Sequence, residues 1–265
     1  MAVIETVGQA AIDGLVYVGD LAILTGRCAH AAVTAPFQWR RLRGERIIRQ
    51  AMAVGVGAIP VLSLIAFFIG EIMALQSAYE LRKLGAIALV ARVVAISITR
   101  ELGPLITAIV VIGRSGSAFA AEIGSMKVNS ELDALETMAL DPVEFLVAPK
   151  LMAAVVMLPC LTIWADFLGV LGGATFGVAA AGFTLGTYLH ATLESLAYRD
   201  IVTGLIKSVV FGVVITAVGS QEGLSTGLGA EQVGRSTTSA VVKSIFLVVA
   251  VDLVFTSFFY FAAPR

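Results

Sequence analysis

Arg100 and Glu101 are adjacent charges inside an otherwise apolar stretch, followed directly by Leu102, Gly103 and Pro104. A charge at mid-bilayer costs roughly 2.5–3.5 kcal/mol on insertion scales, so neither side chain is expected to face lipid alone. Neighbours along a helix point about 100° apart and do not neutralise each other face to face. Each therefore needs water, a lipid head group or a residue on another helix. Lys207 raises the same question in a second apolar stretch. Two chemistries fit these residues. One is an interhelical ion pair, with Asp166, Asp252 or Glu71 as partners; the other is a polar wall in a cavity that receives an amphipathic substrate.

Other chemistries lack their residues. Cys28 and Cys160 are far apart, form no CxxC pair and read as buried structural thiols. His30 and His190 are isolated, so no metal set is expected. No GxxxxGK[ST] phosphate loop is present, and Gly204–Ser208 is too short to stand in for one. GxSxG and HExxH are absent as well. If this protein uses ATP, another chain must bind the nucleotide and its Mg, and no cofactor is expected here.

The chain has 265 residues, of which 58% are hydrophobic and 14% charged, with a mean hydropathy of +0.93. Soluble domains carry about 45–50% apolar and about 25% charged residues. The composition thus excludes a water-soluble enzyme or a disordered regulator. Its 18 basic and 19 acidic residues are nearly balanced, which removes any case for a nucleic-acid partner. Glu5, Asp13 and Asp20 interrupt any signal-peptide core, so the N-terminus is expected to be retained.

Apolar runs over 51–70, 84–113, 151–181, 201–219 and 240–263 are each long enough to cross a bilayer. The expected fold is all-α: a polytopic membrane protein with five transmembrane helices. The third run exceeds the ~30 Å core at about 1.5 Å per residue and must tilt, kink near Pro159 or continue into water. Ile4, Val7, Ala11, Leu15, Val18 and Leu21–Ile23 recur near a helical period between acidic residues. This predicts an amphipathic helix lying in the interface. A basic segment holding Arg40, Arg41, Arg43, Arg46 and Arg49 follows Pro36 to Trp39 and reads as a topological anchor. Residues 1–49 thus form an interfacial and basic segment, and 50–265 the membrane domain. Lys and Arg are concentrated before the first run and in the second and fourth loops, which predicts a cytoplasmic N-terminus. The stripes Gly169, Gly173, Gly177 and Gly116, Ala120, Gly124 predict close helix packing.

The loop 114–150 is longer and more charged than a connector needs. Its stretch 122–138 reads as a helix with Leu132, Leu135, Met138 and Ala139 on one face and Glu131, Asp133 and Glu136 on the polar side, stopped by Asp141-Pro142. It is either a solvated amphipathic loop or a surface that docks another protein.

Several segments, in order, resemble the MlaE/YrbE family, the permease subunits of MCE-associated ABC lipid transporters. They are residues 100–104, Gly113–Ala118, Ala121–Gly124, Leu132–Leu135 with Met138 and Asp141-Pro142, Leu205–Ser208, and 234–242. The resemblance runs from about Arg49 onward. It implies an interfacial helix, five spans, a homodimer and a bacterial inner-membrane location. A cytoplasmic ATPase would dock on a coupling helix at about 121–138, with Glu122, Met126, Glu131 and Asp133 as contacts. The implied lipid cavity involves Met73, Leu81 and Leu84, with Arg100, Glu101 and Lys207 as polar elements. The implied partners are that ATPase, an MCE-domain protein on the periplasmic side, a small STAS-domain protein and membrane phospholipid. Two departures stand out: Ser130-Glu131 where the family has Glu-Gln, and Pro149-Lys150 where it has Pro-Arg. An ion-coupled secondary transporter of a hydrophobic substrate would use the same charges. No internal repeat is evident, however, and five spans do not halve.

Overall fold

A computed structural model of the chain describes residues 2–34, 40–180 and 182–262. These residues are 91% helical with no strand among them, and five segments are long and apolar enough to cross a membrane. Lipid offers backbone groups no hydrogen-bond partners, so each apolar run satisfies its own backbone by coiling.

The N-terminal helix α1 spans Ala2–Thr34. Leu21, Leu24, Cys28 and Ala31 form its buried stripe, packed on Ile123, Leu132, Val143 and Val147. Ile12, Leu15, Val16, Val18 and Ile23 are exposed on its other faces. Burial pushes the Cys28 thiol up to about 11, so it stays protonated and inert at neutral pH. Cys160, read above as another buried thiol, is in fact exposed on the outside of its helix. Residues 35–39 and the side chains of Arg40, Arg41 and Arg43 lie outside the described residues.

The first span is broken. Helix α2 (Arg40–Gly55) gives way at Val56–Ala58 to α3 (Ile59–Lys83), whose second residue is Pro60. Proline supplies no N–H and suits a helix start, and Gly55 and Gly57 relax the backbone before it. The apolar run 51–70 therefore straddles two helices rather than forming one.

The second span runs over Ile87–Val128, well past the predicted end at 113. It comprises a 3₁₀ turn (Ile87–Leu89), α4 (Val90–Ser97), a π turn (Ile98–Leu102), α5 (Gly103–Val111), a second π turn (Ile112–Gly116) and α6 (Ser117–Val128). A π turn inserts one extra residue and so re-aims the side chains around it. The stretch 121–138 is not one helix. It is the end of α6, a reversal at Asn129-Ser130 with Ser130 left-handed at φ 58°, and a short helix α7 (Glu131–Thr137).

A third π turn (Val143–Val147) leads into α8 (Ala148–Ala180), which continues unbroken through Pro159 for 33 residues, about 50 Å. Helix α9 (Leu185–Ser195), unforeseen from the sequence, buries Tyr188 against α8. Helices α10 (Tyr198–Leu224) and α11 (Ala230–Ala262) complete the bundle.

The small-residue stripes do what their spacing predicts. Helices α3 and α8 form the most extensive pairing, and their backbones touch: a Cβ on Gly70 would lie 1.8 Å from the Gly169 carbonyl oxygen. Gly173 and Gly177 make room for Tyr188, and Gly116 and Gly124 for Ile215 and Thr226 on or beside α10. The main core joins Leu62, Ala66, Ile112, Leu158, Phe211 and Ile215 from four spans. By contrast α11 buries only Ala240, Ser244 and Val248 fully among its described residues, a stripe that continues at the same four-residue spacing to Asp252 and Thr256.

Candidate functional site

The π turn Ile98–Leu102 carries Arg100 and Glu101 and sends them to different neighbours. Glu101 meets Lys207 of α10, whose side chain is fully buried. The Lys207 Nζ donates to Glu101 Oε2 at 2.5 Å and to Thr256 Oγ1 at 2.8 Å, and lies 2.9 Å from Asp252 Oδ1. The Thr256 hydroxyl in turn donates to Glu101 Oε2 at 3.1 Å. Three spans thus meet at one ammonium, where two carboxylates and a hydroxyl replace its water shell. Of the partners named from sequence, Asp252 takes part. Asp166 lies instead against Gly103, in the space a Cβ there would fill, with Oδ1 lacking a hydrogen-bond partner.

Arg100 turns away from that seam. Its nearest carboxylate is Asp200 at 3.7 Å, beyond direct hydrogen-bond reach, and Asp200 Oδ2 is spent on the Ala197 N–H at the start of α10. The guanidinium lines a cavity of about 490 Å³ with Tyr198, Arg199, Asp200, Phe258 and Phe259. Two arginines face one aspartate there, and aromatic rings rim the opening where α10 begins and α11 ends. Arg199, Asp200 and Phe258 were not singled out from sequence; an Arg-Asp pair opening an apolar helix after an aromatic is the signal that could have found them. Met73, Leu81 and Leu102 each pack against the cluster formed by Ala74, Ala78, Val90, Val94 and Ile98. Leu84 stands 77% exposed just past the end of α3. The structure therefore brings Glu101 and Lys207 together, sends Arg100 to a separate cavity, packs Met73 and Leu81 on the cluster that holds Ile98, and leaves Leu84 exposed.

The four residues named for coupling separate into two environments at the opposite end of the bundle. Glu122 is committed within the chain, accepting from Lys150 Nζ at 2.5 Å, while Lys150 lies 5.0 Å over the Phe119 ring. Met126 packs on the cluster that holds α1. Glu131 and Asp133 are exposed on α7, with Met138 69% exposed just beyond it. Leu132 is buried beneath, so α7 is fixed by its apolar face and shows its acidic face outward. Asp141 holds the return: one oxygen caps the Val143 N–H at 2.9 Å, and the other takes Arg27 of α1 at 2.6 Å. Nearby, Tyr17 of α1 donates to Glu222 at 2.9 Å and Lys243 donates to the same carboxylate at 2.7 Å. Burial and the Glu222 carboxylate raise the Tyr17 hydroxyl far above its ordinary range.

The described residues thus form a five-span helical membrane protein with a buried ionic seam between spans and an exposed acidic helix, α7, outside them. Residues 47–258 match the MlaE permease family, and the chain belongs to it. It is 40% identical over 81% of its length to a probable ABC transporter permease protein of Rickettsia prowazekii, covering 83% of that protein. It is 34% identical to the intermembrane phospholipid transport system permease protein MlaE of Haemophilus influenzae, over 81% of this chain and 82% of that one. The same identity holds with the chloroplastic protein trigalactosyldiacylglycerol 1 of Arabidopsis thaliana, over 90% of this chain and 67% of that one.

Proposed function

We propose that this chain is the membrane subunit of an ABC transporter that moves phospholipid across or out of the bacterial inner membrane. The observation that carries the reading is the match to the Haemophilus phospholipid permease along most of both chains. Two copies enclose the lipid path, and an ATPase partner binds ATP and Mg and docks on α7 in the cytoplasm. An MCE-domain protein receives or delivers lipid at the opposite, periplasmic end, and a small STAS-domain protein accompanies the ATPase. The N-terminal helix α1 then lies on the cytoplasmic side.

In this reading Arg100 meets the phosphate of the head group, because it is the one charge of the π turn whose donors face a cavity rather than the seam. Acyl chains lie along Met73, Leu81 and Leu84. Glu101 and Lys207 shape the wall by holding three spans together. Phospholipid co-purifying with an Arg100→Ala variant should fall about tenfold, the worth of one charge-assisted hydrogen bond. Unchanged bound lipid, measured by mass spectrometry at equal protein, would remove Arg100 from the path.

The docking assignment is tested separately. Glu131 and Asp133 are exposed, so Glu131→Lys with Asp133→Lys should shift stability by no more than about 0.5 kcal/mol. The same pair should abolish co-purification of the ATPase, since like charges would then face a surface built for acids. Normal recovery of the ATPase with this variant would place the motor elsewhere. Lipid movement driven by an ion gradient with no ATPase present would replace the whole reading with a secondary transporter.

A further inference from the structure

Arg114 is an exposed charge within the second span, and no carboxylate lies within ion-pair reach of it among the described residues. Its partner is backbone. In an unbroken helix the Gly57 N–H would bond the Ala53 carbonyl; here the first span is interrupted, and Arg114 Nη1 donates to that carbonyl at 2.7 Å. The turn closes by other bonds, with Val56 N–H to Met52 and Ala58 N–H to Gly55, both at 3.0 Å. The guanidinium lies flat on Gly57: a Cβ there would sit 1.8 Å from Nη2 and 2.1 Å from Cζ. Arg114 itself stands on the π turn Ile112–Gly116. A wide turn in one span therefore reaches across to the break in another.

We propose that Val56–Ala58 is a hinge in the first span and that Arg114 is its pin, a positioning residue that ties the angle between α2 and α3 to the π turn of the second span. Three features converge on it. A broken helix leaves carbonyls that must be satisfied where lipid cannot do so, and Arg114 satisfies one. Gly57, lacking a side chain, leaves the space the guanidinium fills as it reaches that carbonyl. The π turn supplies the extra residue that changes the direction in which position 114 points. Helix α2 leads toward the basic segment at the α1 end, while α3 leads to Met73 and Leu81. The pin thus joins the two ends of the molecule at the break in the first span.

The test is amide hydrogen exchange on the full chain in lipid nanodiscs, read at 55–62 against the remaining spans. Arg114→Ala should speed exchange there about tenfold, the loss of one bond that protects a frayed turn. Gly57→Ala should do the same while leaving the charge in place, because the new methyl displaces the guanidinium. The two together should add nothing beyond either alone, since both remove one contact. Arg114→Lys, which keeps a single donor, should restore most of the protection. Exchange that is unchanged in Arg114→Ala, that rises equally in every span, or that sums in the double variant would overturn the pin. The link to transport rests on the function proposed above and is read apart from exchange. In the complete ATP-driven complex, Arg114→Ala should keep hydrolysis and lower lipid moved per ATP at least severalfold. Local opening with an unchanged ratio would overturn the connecting role of the pin.

Discussion

Replacing Lys207 with alanine is expected to cost about 3 kcal/mol, the low end for breaking a buried pair, because the partly buried Glu101 and Asp252 carboxylates would lose their counter-ion. Lys207 is fully buried, and among the described residues its ammonium alone pairs with Glu101 and Asp252 at once. Their desolvation is offset in the native protein by that contact and by the Thr256 hydroxyl. The seam itself adds little net stability compared with an apolar core; its removal by halves is what costs. A triple variant, Lys207→Met with Glu101→Gln and Asp252→Asn, should therefore recover most of the loss. The measurement is reversible unfolding in mixed detergent micelles, followed by near-ultraviolet circular dichroism. Lys207→Ala stability within 1 kcal/mol of the parent would mean that water already reaches the seam, an estimate below the ~3 kcal/mol expected for a dry pair.

Gly70→Ala should cost about 3 kcal/mol, the upper range for overpacking, since nothing at that contact can yield cheaply. The added methyl would lie 1.8 Å from a main-chain oxygen of α8, not from the end of a flexible side chain. The reciprocal site behaves alike, with a Cβ on Gly172 falling 2.0 Å from the Phe67 oxygen. Helices α3 and α8 would have to separate along the pairing that anchors the first span. Gly234→Ala is the control, for a methyl there meets nothing within 4 Å and stiffens a long helix. It should stabilise slightly, by up to about 1 kcal/mol, from lower chain entropy and higher helix propensity. Equal melting curves for Gly70→Ala and the parent would show that the two backbones are not in contact.

The spans were legible in the sequence because twenty apolar residues in a row have few alternatives in lipid, and the glycine stripes because close approach tolerates only small side chains. The break at Val56–Ala58 carried its own punctuation in Gly55, Gly57 and Pro60, yet hydropathy averages across it and reads one continuous run. The three π turns left no trace. An extra residue per turn alters hydrogen bonding without altering composition, and so the loop was read as starting at Arg114, in the middle of the π turn Ile112–Gly116, which lies within a helix. Ser130 was legible only as a polar residue, while its left-handed backbone is what separates α6 from α7. At the candidate site, the need of Arg100, Glu101 and Lys207 for partners followed from their cost in lipid. The division of labour among them did not. Glu101 and Lys207 are far apart in the chain, and only the packing of α10 against the π turn decides that Glu101, and not Arg100, enters the seam.

Helix α11 turns its most deeply seated line to the bundle, from Ala240 through Ser244, Val248 and Asp252 to Thr256. Val241, Leu247 and Val251 beside that line are partly buried against the core, while Phe246, Leu253 and Phe261 are each more than three-fifths exposed. Tolerance to replacement should therefore follow a strict four-residue rhythm along this helix. Phe246 and Leu253 would accept almost any oily substitute, while a step of one position onto the line would forbid even leucine for serine at 244. The last span is attached in the manner of a zip, tooth by tooth, and its grip ends at the seam.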